Sequence, residues 1–146
     1  MIFWFEKHKM VSWMITIFIA IIIFYVSSLT FTPSILRGFP WKSVAYHFYA
    51  FFFLSAFLLV SLMQGKPKNK NLIYLVFIIA IIYAISDEFH QLFVPSRAFA
   101  VSDILTDSAG ILFAGLIYSW LNLLRFKSKV IIKNNQIEEI KRAIIN

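Results

Sequence analysis

From residue 10 to residue 36 the chain carries no charged side chain, and further apolar runs follow at 44–63, 72–92 and 103–124. About 20 apolar residues wound as a helix cover the ~30 Å hydrocarbon layer of a bilayer. Runs of this length, repeated along one chain, leave lipid as the natural solvent. Composition agrees: 60% hydrophobic residues, 18% aromatic residues and a mean hydropathy of +0.78 are too apolar for an ordinary soluble domain of 146 residues. The expected fold is all-α, a bundle of four transmembrane helices over about 10–29, 44–63, 72–92 and 103–124, in one domain covering 1–146. The bases of "EKHKM" ahead of the first run have the look of a secretory n-region. The run is too long for a usual h-region, however, and no A-x-A site follows it, so a retained span is expected.

The connections carry helix breakers. "TPSILRGFPWKS" holds Pro33, Gly38 and Pro40, and "QGKPKNKN" holds Gly65 and Pro67, so neither is expected to stay helical. Pro95 disfavours helix at Val94, and Ser102 is placed to act as an N-cap for the last span. Beyond it lies a tail, 125–146, in which Ile137, Ile140 and Ile144 recur at helical spacing and Glu138 faces Arg142 one turn on. That pattern predicts a short amphipathic helix resting on the inner leaflet, with docking to a partner as the alternative.

The net charge of +7 does not point to nucleic acid, because the bases sit in short runs beside the apolar segments. Lys7, Lys9, Lys66, Lys68, Lys70, Arg125, Lys127 and Lys129 fall on one side of the four-span layout, against Arg37, Lys42 and Arg97 on the other. The excess predicts a multi-pass protein of the cell membrane with both termini cytoplasmic. Cysteine is absent, which removes disulfides, thiol nucleophiles and thiolate metal sites.

Four of the seven acidic residues lie between Ala84 and Gly110. A third span running outward ends in Asp87, Glu88, His90 and Gln91, and a fourth running inward begins with Asp103 and Asp107. His47, near the start of the second span, falls at about the same depth, with Arg97 in the loop above. Asp87 and Gln91 share a helix face, while Glu88 is rotated about 100° from Asp87. Asp103, Asp107, Gly110 and Ala114 form one stripe, its small residues suited to close approach by a neighbouring helix. Asp103 alone fits a plain role at a helix N-terminus, and His90 a hydrogen bond at the interface. Asp87, Glu88 and Asp107 are different: an ionisable group within a span is costly and faces a cavity or a partner, so function is the first reading and an ion-pair clasp the second.

Acids beside a histidine are equipped for general acid/base chemistry, which makes Glu88, Asp87 and His47 the catalytic candidates. Asp87, Glu88, Gln91, Arg97, Asp103 and Asp107 form the candidate ligand-binding cluster. Asp, Glu and His are also divalent-cation ligands, yet no H-E-x-x-H, serine elbow or phosphate loop specifies a reaction. No metal ligand and no cofactor is assigned.

These residues carry a resemblance. "SDEFHQLFVPSR" followed by "SDILTDSAG" is similar to the pattern of the VanZ-like family of small integral membrane proteins: D-E-x-x-Q, then P-G-R, then D-x-x-x-(D or N)-x-x-G. Asp87, Glu88, Gln91, Pro95, Arg97, Asp103, Asp107 and Gly110 occupy the motif positions. "FYVSS" resembles the end of the family's first span, and "HFYAFFFL" its H-F-x-E-Y-x-x-L segment. Three positions depart: Ser96 stands for the usual glycine, Ala50 for a common glutamate and Phe51 for a common tyrosine, which leaves His47 as the main polar group of the second span. The resemblance implies an envelope protein contributing to low-level resistance to the lipoglycopeptide teicoplanin. The expected partners are membrane lipids and either such a drug or an anionic envelope lipid. In that reading Arg97 recognises an anionic group, Glu88 and Asp107 orient it, and Gln91 adds hydrogen bonds. The alternative is a small intramembrane enzyme acting on a lipid or cell-wall-precursor headgroup. Transport fits less well, since four spans leave little room for alternating access.

Overall fold

No proline interrupts the four apolar runs, and each becomes a helix in the computed structural model of the chain, which describes residues 2–30, 40–64 and 70–145. The helices are α1 (Ile2–Lys7), α2 (Lys9–Ser27), α3 (Pro40–Met63), α4 (Lys70–Gln91) and α5 (Val101–Ile145), with no strand among the described residues. Four of them, α2 to α5, contain a stretch long and apolar enough to cross a membrane. Helices are the natural answer to lipid because they bond every backbone N–H and C=O within the segment. The direction alternates along the chain. Ser28 just past α2 meets His90 near the end of α4, while His47 near the start of α3 meets Asp107 near the start of α5.

Several boundaries differ from the sequence expectation. Helix α3 starts at Pro40, inside a stretch expected to be irregular, because proline lacks only an N–H that the first helical turn would leave unpaired anyway. Likewise α4 begins at Lys70. The other expected breakers, Pro33, Gly38, Gly65 and Pro67, lie outside the described residues, as do Arg37, Lys66 and Lys68 of the charge comparison. The tail is helical, as its isoleucine spacing predicts, but it is not a separate short helix. With no proline or glycine after Gly115, α5 runs on unbroken for 45 residues. Within it Glu138 accepts from Lys141 Nζ at 3.2 Å, one residue short of the expected partner Arg142.

Lipid gives helices no hydrophobic reason to associate, so the bundle has to form through close packing and interhelical hydrogen bonds. The most extensive interface joins α3 and α5. At its centre Gly110 lies against the backbone of α3: a Cβ there would collide with Phe48 O and crowd Phe52 N. Helix α2 is tied to α3 by Thr16 Oγ1 and Ser61 Oγ, 3.1 Å apart, and to α4 by Tyr83 Oη, which donates to Ala20 O at 2.7 Å. Between these ties, Ile23, Phe51, Leu54, Ala80, Ala84 and Ile111 form one buried cluster, and Leu58, Leu59, Val60, Met63, Val76 and Tyr118 a second. Phe18, Ile21, Ile82, Leu112 and Leu116 are exposed on the bundle's outside, where lipid replaces water.

At the end of the bundle holding the N-terminus, the short α1 supplies a polar lock that the sequence reading did not anticipate. Glu6 is buried; Tyr118 Oη donates to its Oε1 at 2.7 Å and Arg125 Nη1 to its Oε2 at 2.8 Å. Both oxygens of this carboxylate are therefore used, one by a phenol and one by a guanidinium, each from α5. Ser12 Oγ adds a bond to Phe5 O at 2.6 Å, which folds α1 back on α2.

Two outcomes follow for the protein in detergent micelles. Gly110→Leu forces α3 and α5 apart and lowers stability by about 2 kcal/mol or more, read as a fall in the midpoint of thermal unfolding. Glu6→Ala removes the shared acceptor of the Tyr118 hydroxyl and the Arg125 guanidinium and costs about 1–3 kcal/mol in the same measurement, whereas Glu6→Gln retains part of that stability.

Candidate functional site

The other end of the bundle is organised around buried acids. Helix α4 ends at Gln91, ahead of Pro95, so that its last two turns bring Asp87, Glu88 and Gln91 inward, all buried. From α5, Asp107 points into the same space and is fully buried, and from α3 so does His47, 2% exposed. Counting residues from the helix starts, His47 and Asp107 lie about two turns, or ~10 Å, below the ends of their helices. The cluster is therefore inside the bundle and not on its rim.

The contacts are specific. Asp107 Oδ1 lies 3.0 Å from His47 Nδ1, and Asp103 Oδ2 approaches His47 Nε2 at 3.4 Å, so one imidazole stands between two carboxylates on successive turns of α5. Asp103 is only partly buried, at 21% exposure, and forms the outer side of this pair. Gln91 Nε2 donates to Asp87 Oδ2 at 3.3 Å and to Glu88 Oε1 at 3.0 Å. The amide thus bridges two acids that helix geometry alone would have turned apart. Glu88 Oε2 accepts the Ala100 N–H at 3.1 Å, so this carboxylate also fastens the 92–100 loop. Ala100 is the residue whose carbonyl opens α5, accepting from Asp103 N and Ile104 N. Ser102, expected as the N-cap, lies inside the first turn instead and donates from Oγ to Asp103 Oδ1 at 3.3 Å.

Asp107 Oδ2 is buried in this centre without a hydrogen-bond partner, and Asp87 Oδ1 has only the Ser27 hydroxyl near it. The Tyr46 hydroxyl is also unpartnered. Tyr46 precedes His47, its ring 5.5 Å from the imidazole, and lies within electrostatic reach of Asp87, Asp107 and Arg97. No spacing signal in the sequence marks Tyr46 for the site. The nearest ligand atoms of His47, Glu88 and Asp107 all fall within 4.8 Å of one another, one from each of three helices.

Arg97 and His90 lie around this centre. Arg97 Nε donates to Leu29 O at 3.3 Å and Nη2 to Val26 O at 3.2 Å, fastening the loop to the C-terminal end of α2. A cation there also complements the negative end of the helix dipole. His90 Nε2 lies 3.0 Å from Ser28 Oγ, and its ring stacks on Phe24 at 4.5 Å, the interfacial role expected of it. Ser96, where the family pattern has glycine, adopts φ = 66°. A Cβ in that left-handed region costs about 1 kcal/mol, so the glycine of the pattern has a backbone reason.

Beside the centre, between α2 and α3, a groove of about 540 Å³ is lined by Ile19, Ile22, Ala45, Ala50 and Phe53, with Trp41 and Lys42 towards one end. Tyr46 lines it too, and so belongs to both the apolar groove and the polar centre. Ala50, at the position where the family commonly has glutamate, keeps this wall apolar.

Apolar spanning helices closed around a buried acid and histidine centre define a multi-pass membrane protein with a polar intramembrane site. The VanZ/LLP1 family model matches residues 5–124, and the chain belongs to this family. No curated protein and no solved structure matches the chain. The match covers the centre, the groove and the Glu6 lock up to Tyr118, and it ends one residue before Arg125.

Restoring the family's glycine tests the backbone reading. Ser96→Gly raises the thermal unfolding midpoint slightly, with a gain of up to about 0.6 kcal/mol once the added freedom of the unfolded chain is subtracted.

Proposed function

We propose that this VanZ-family protein works in a bacterial cell membrane by holding a membrane-anchored amphiphile, with the acyl chain in the groove between α2 and α3 and the headgroup at the polar centre. The observation that carries this reading is Tyr46, whose ring lines the apolar groove and whose unpartnered hydroxyl lies among the charges of the centre. An occupant matched to both surfaces needs an apolar chain joined to a polar head. The excess of bases at the opposite end of the spans favours the outer leaflet for the centre, which is where a lipoglycopeptide such as teicoplanin or an anionic envelope lipid presents its headgroup. Lys42 at the groove and the Arg97 guanidinium lend positive field to an anionic head. His47, Glu88 and Asp107 orient its polar groups, while Gln91 holds the two α4 acids in place.

A second reading has its own observation. An imidazole between Asp103 and Asp107 with Glu88 alongside is arranged for proton transfer, and this supports headgroup chemistry with Glu88 or Asp87 as base and His47 as proton partner. Deletion would then change a headgroup species in the lipid profile, whereas pure binding leaves that profile unaltered.

The test of the amphiphile reading fills the groove. Ala45→Trp is compared with the intact chain in a sensitive Gram-positive host at matched membrane abundance, and the purified proteins are compared by native mass spectrometry for retained phosphatidylglycerol. The expected outcome is a protective shift against teicoplanin and not vancomycin, lost in Ala45→Trp, with lipid retention about tenfold lower in the variant. Equal lipid retention by both proteins overturns the groove as the chain's seat. The absence of any teicoplanin shift restricts the ligand to an envelope lipid.

A further inference from the structure

Within the polar centre, the second oxygen of Asp107 calls for a partner that none of the described side chains supplies. Asp107 is fully buried; one of its oxygens meets His47, and the other has no partner. Glu88 is also fully buried, and His47 nearly so. Leaving a buried carboxylate half satisfied in a low-dielectric site costs about 1–3 kcal/mol or more, so something that binds anionic oxygen is expected there. Of the basic groups around the centre, Arg97 donates to α2 carbonyls and His90 stands at Ser28.

We infer that His47, Glu88 and Asp107 form a site for one divalent first-row metal ion, of the Mn²⁺ or Zn²⁺ class. One imidazole nitrogen and two carboxylates from three separate helices converge to within 4.8 Å. A metal with ligands at about 2.1 Å sets them roughly 3.0–4.2 Å apart, so the widest pair closes by about 0.6–1.8 Å on binding. The donor set excludes soft, thiolate-selecting ions, and the imidazole argues against Ca²⁺ and Mg²⁺, which take oxygen ligands. Asp103 at the second nitrogen of His47 provides the carboxylate that orients a ligating imidazole, and Gln91 and the Ala100 N–H hold Glu88 in the same way. Asp87, buried in the same centre, adds negative charge that favours a dication over a neutral guest. The inference concerns the ion alone and does not depend on which amphiphile, if any, occupies the groove.

The experiment uses the full chain purified in detergent without chelator, with metal content read by elemental mass spectrometry and stability by thermal unfolding during titration with Mn²⁺ and with Zn²⁺. The expected result is about one equivalent of metal per chain after titration and a midpoint about 5 °C higher, both lost in Asp107→Asn and in His47→Ala. Glu6→Gln, in the lock at the opposite end of the bundle, lowers stability and still takes up one equivalent, which separates loss of ligand from loss of fold. Less than about 0.1 equivalent with both ions overturns the inference, as does an Asp107→Asn protein that unfolds at the same or a higher temperature than the metal-titrated parent. In that event a proton, and not a metal, satisfies the orphan oxygen.

Discussion

The close approach of α3 and α5 at Gly110 sets the geometry on which the rest of the molecule depends. Because Gly110 lets the backbone of α3 come within contact at Phe48, the residue before Phe48 is brought opposite the residues one and two turns before Gly110. That residue is His47, and those turns carry Asp107 and Asp103. In lipid there is no water to satisfy a carboxylate that misses its partner, so a small shift along this interface would leave three polar groups stranded. The apolar contact and the polar contact thus specify the same register, and the agreement gives the two helices one arrangement.

The two ends of the bundle solve the problem of buried acid differently. At the N-terminal end Glu6 has a donor for each oxygen, Tyr118 and Arg125, and the lock is complete. At the other end Asp107 keeps an oxygen without a donor, and the Tyr46 hydroxyl is unpartnered as well. Full satisfaction describes a structural clasp. Partial satisfaction, near a groove that opens along α2 and α3, leaves polar atoms available to a guest.

Much of the outline was legible in the chain. Long uncharged runs fix helical spans because lipid forces backbone bonds inward, and the order of those spans alone brings Asp87, Glu88, Asp103, Asp107 and His47 to one depth. Pro95 ended α4 where a proline should, and the Asp103, Asp107, Gly110 and Ala114 stripe faced a neighbouring helix as its spacing required. Less legible were the helix starts: Pro40 opens α3 instead of preceding it, and Ala100, not Ser102, begins α5. Cap position depends on where the incoming loop is held. Here that is decided by Glu88 reaching across from another helix, a contact between residues 12 apart that no local pattern encodes.

By itself the sequence determined the class of solvent, the number and order of spans, the level at which the charges gather and the family pattern, because all of these follow from local length, periodicity and residue type. Only the tertiary structure decided which acid meets which donor: that His47 stands between two aspartates, that Gln91 joins Asp87 to Glu88, that Tyr46 belongs to groove and centre alike, and that Glu6 is locked to α5. Those outcomes depend on the rotation and separation of packed helices, which are set by contacts between residues far apart in the chain, such as Phe48 against Gly110, and not by the run of residues along any one helix.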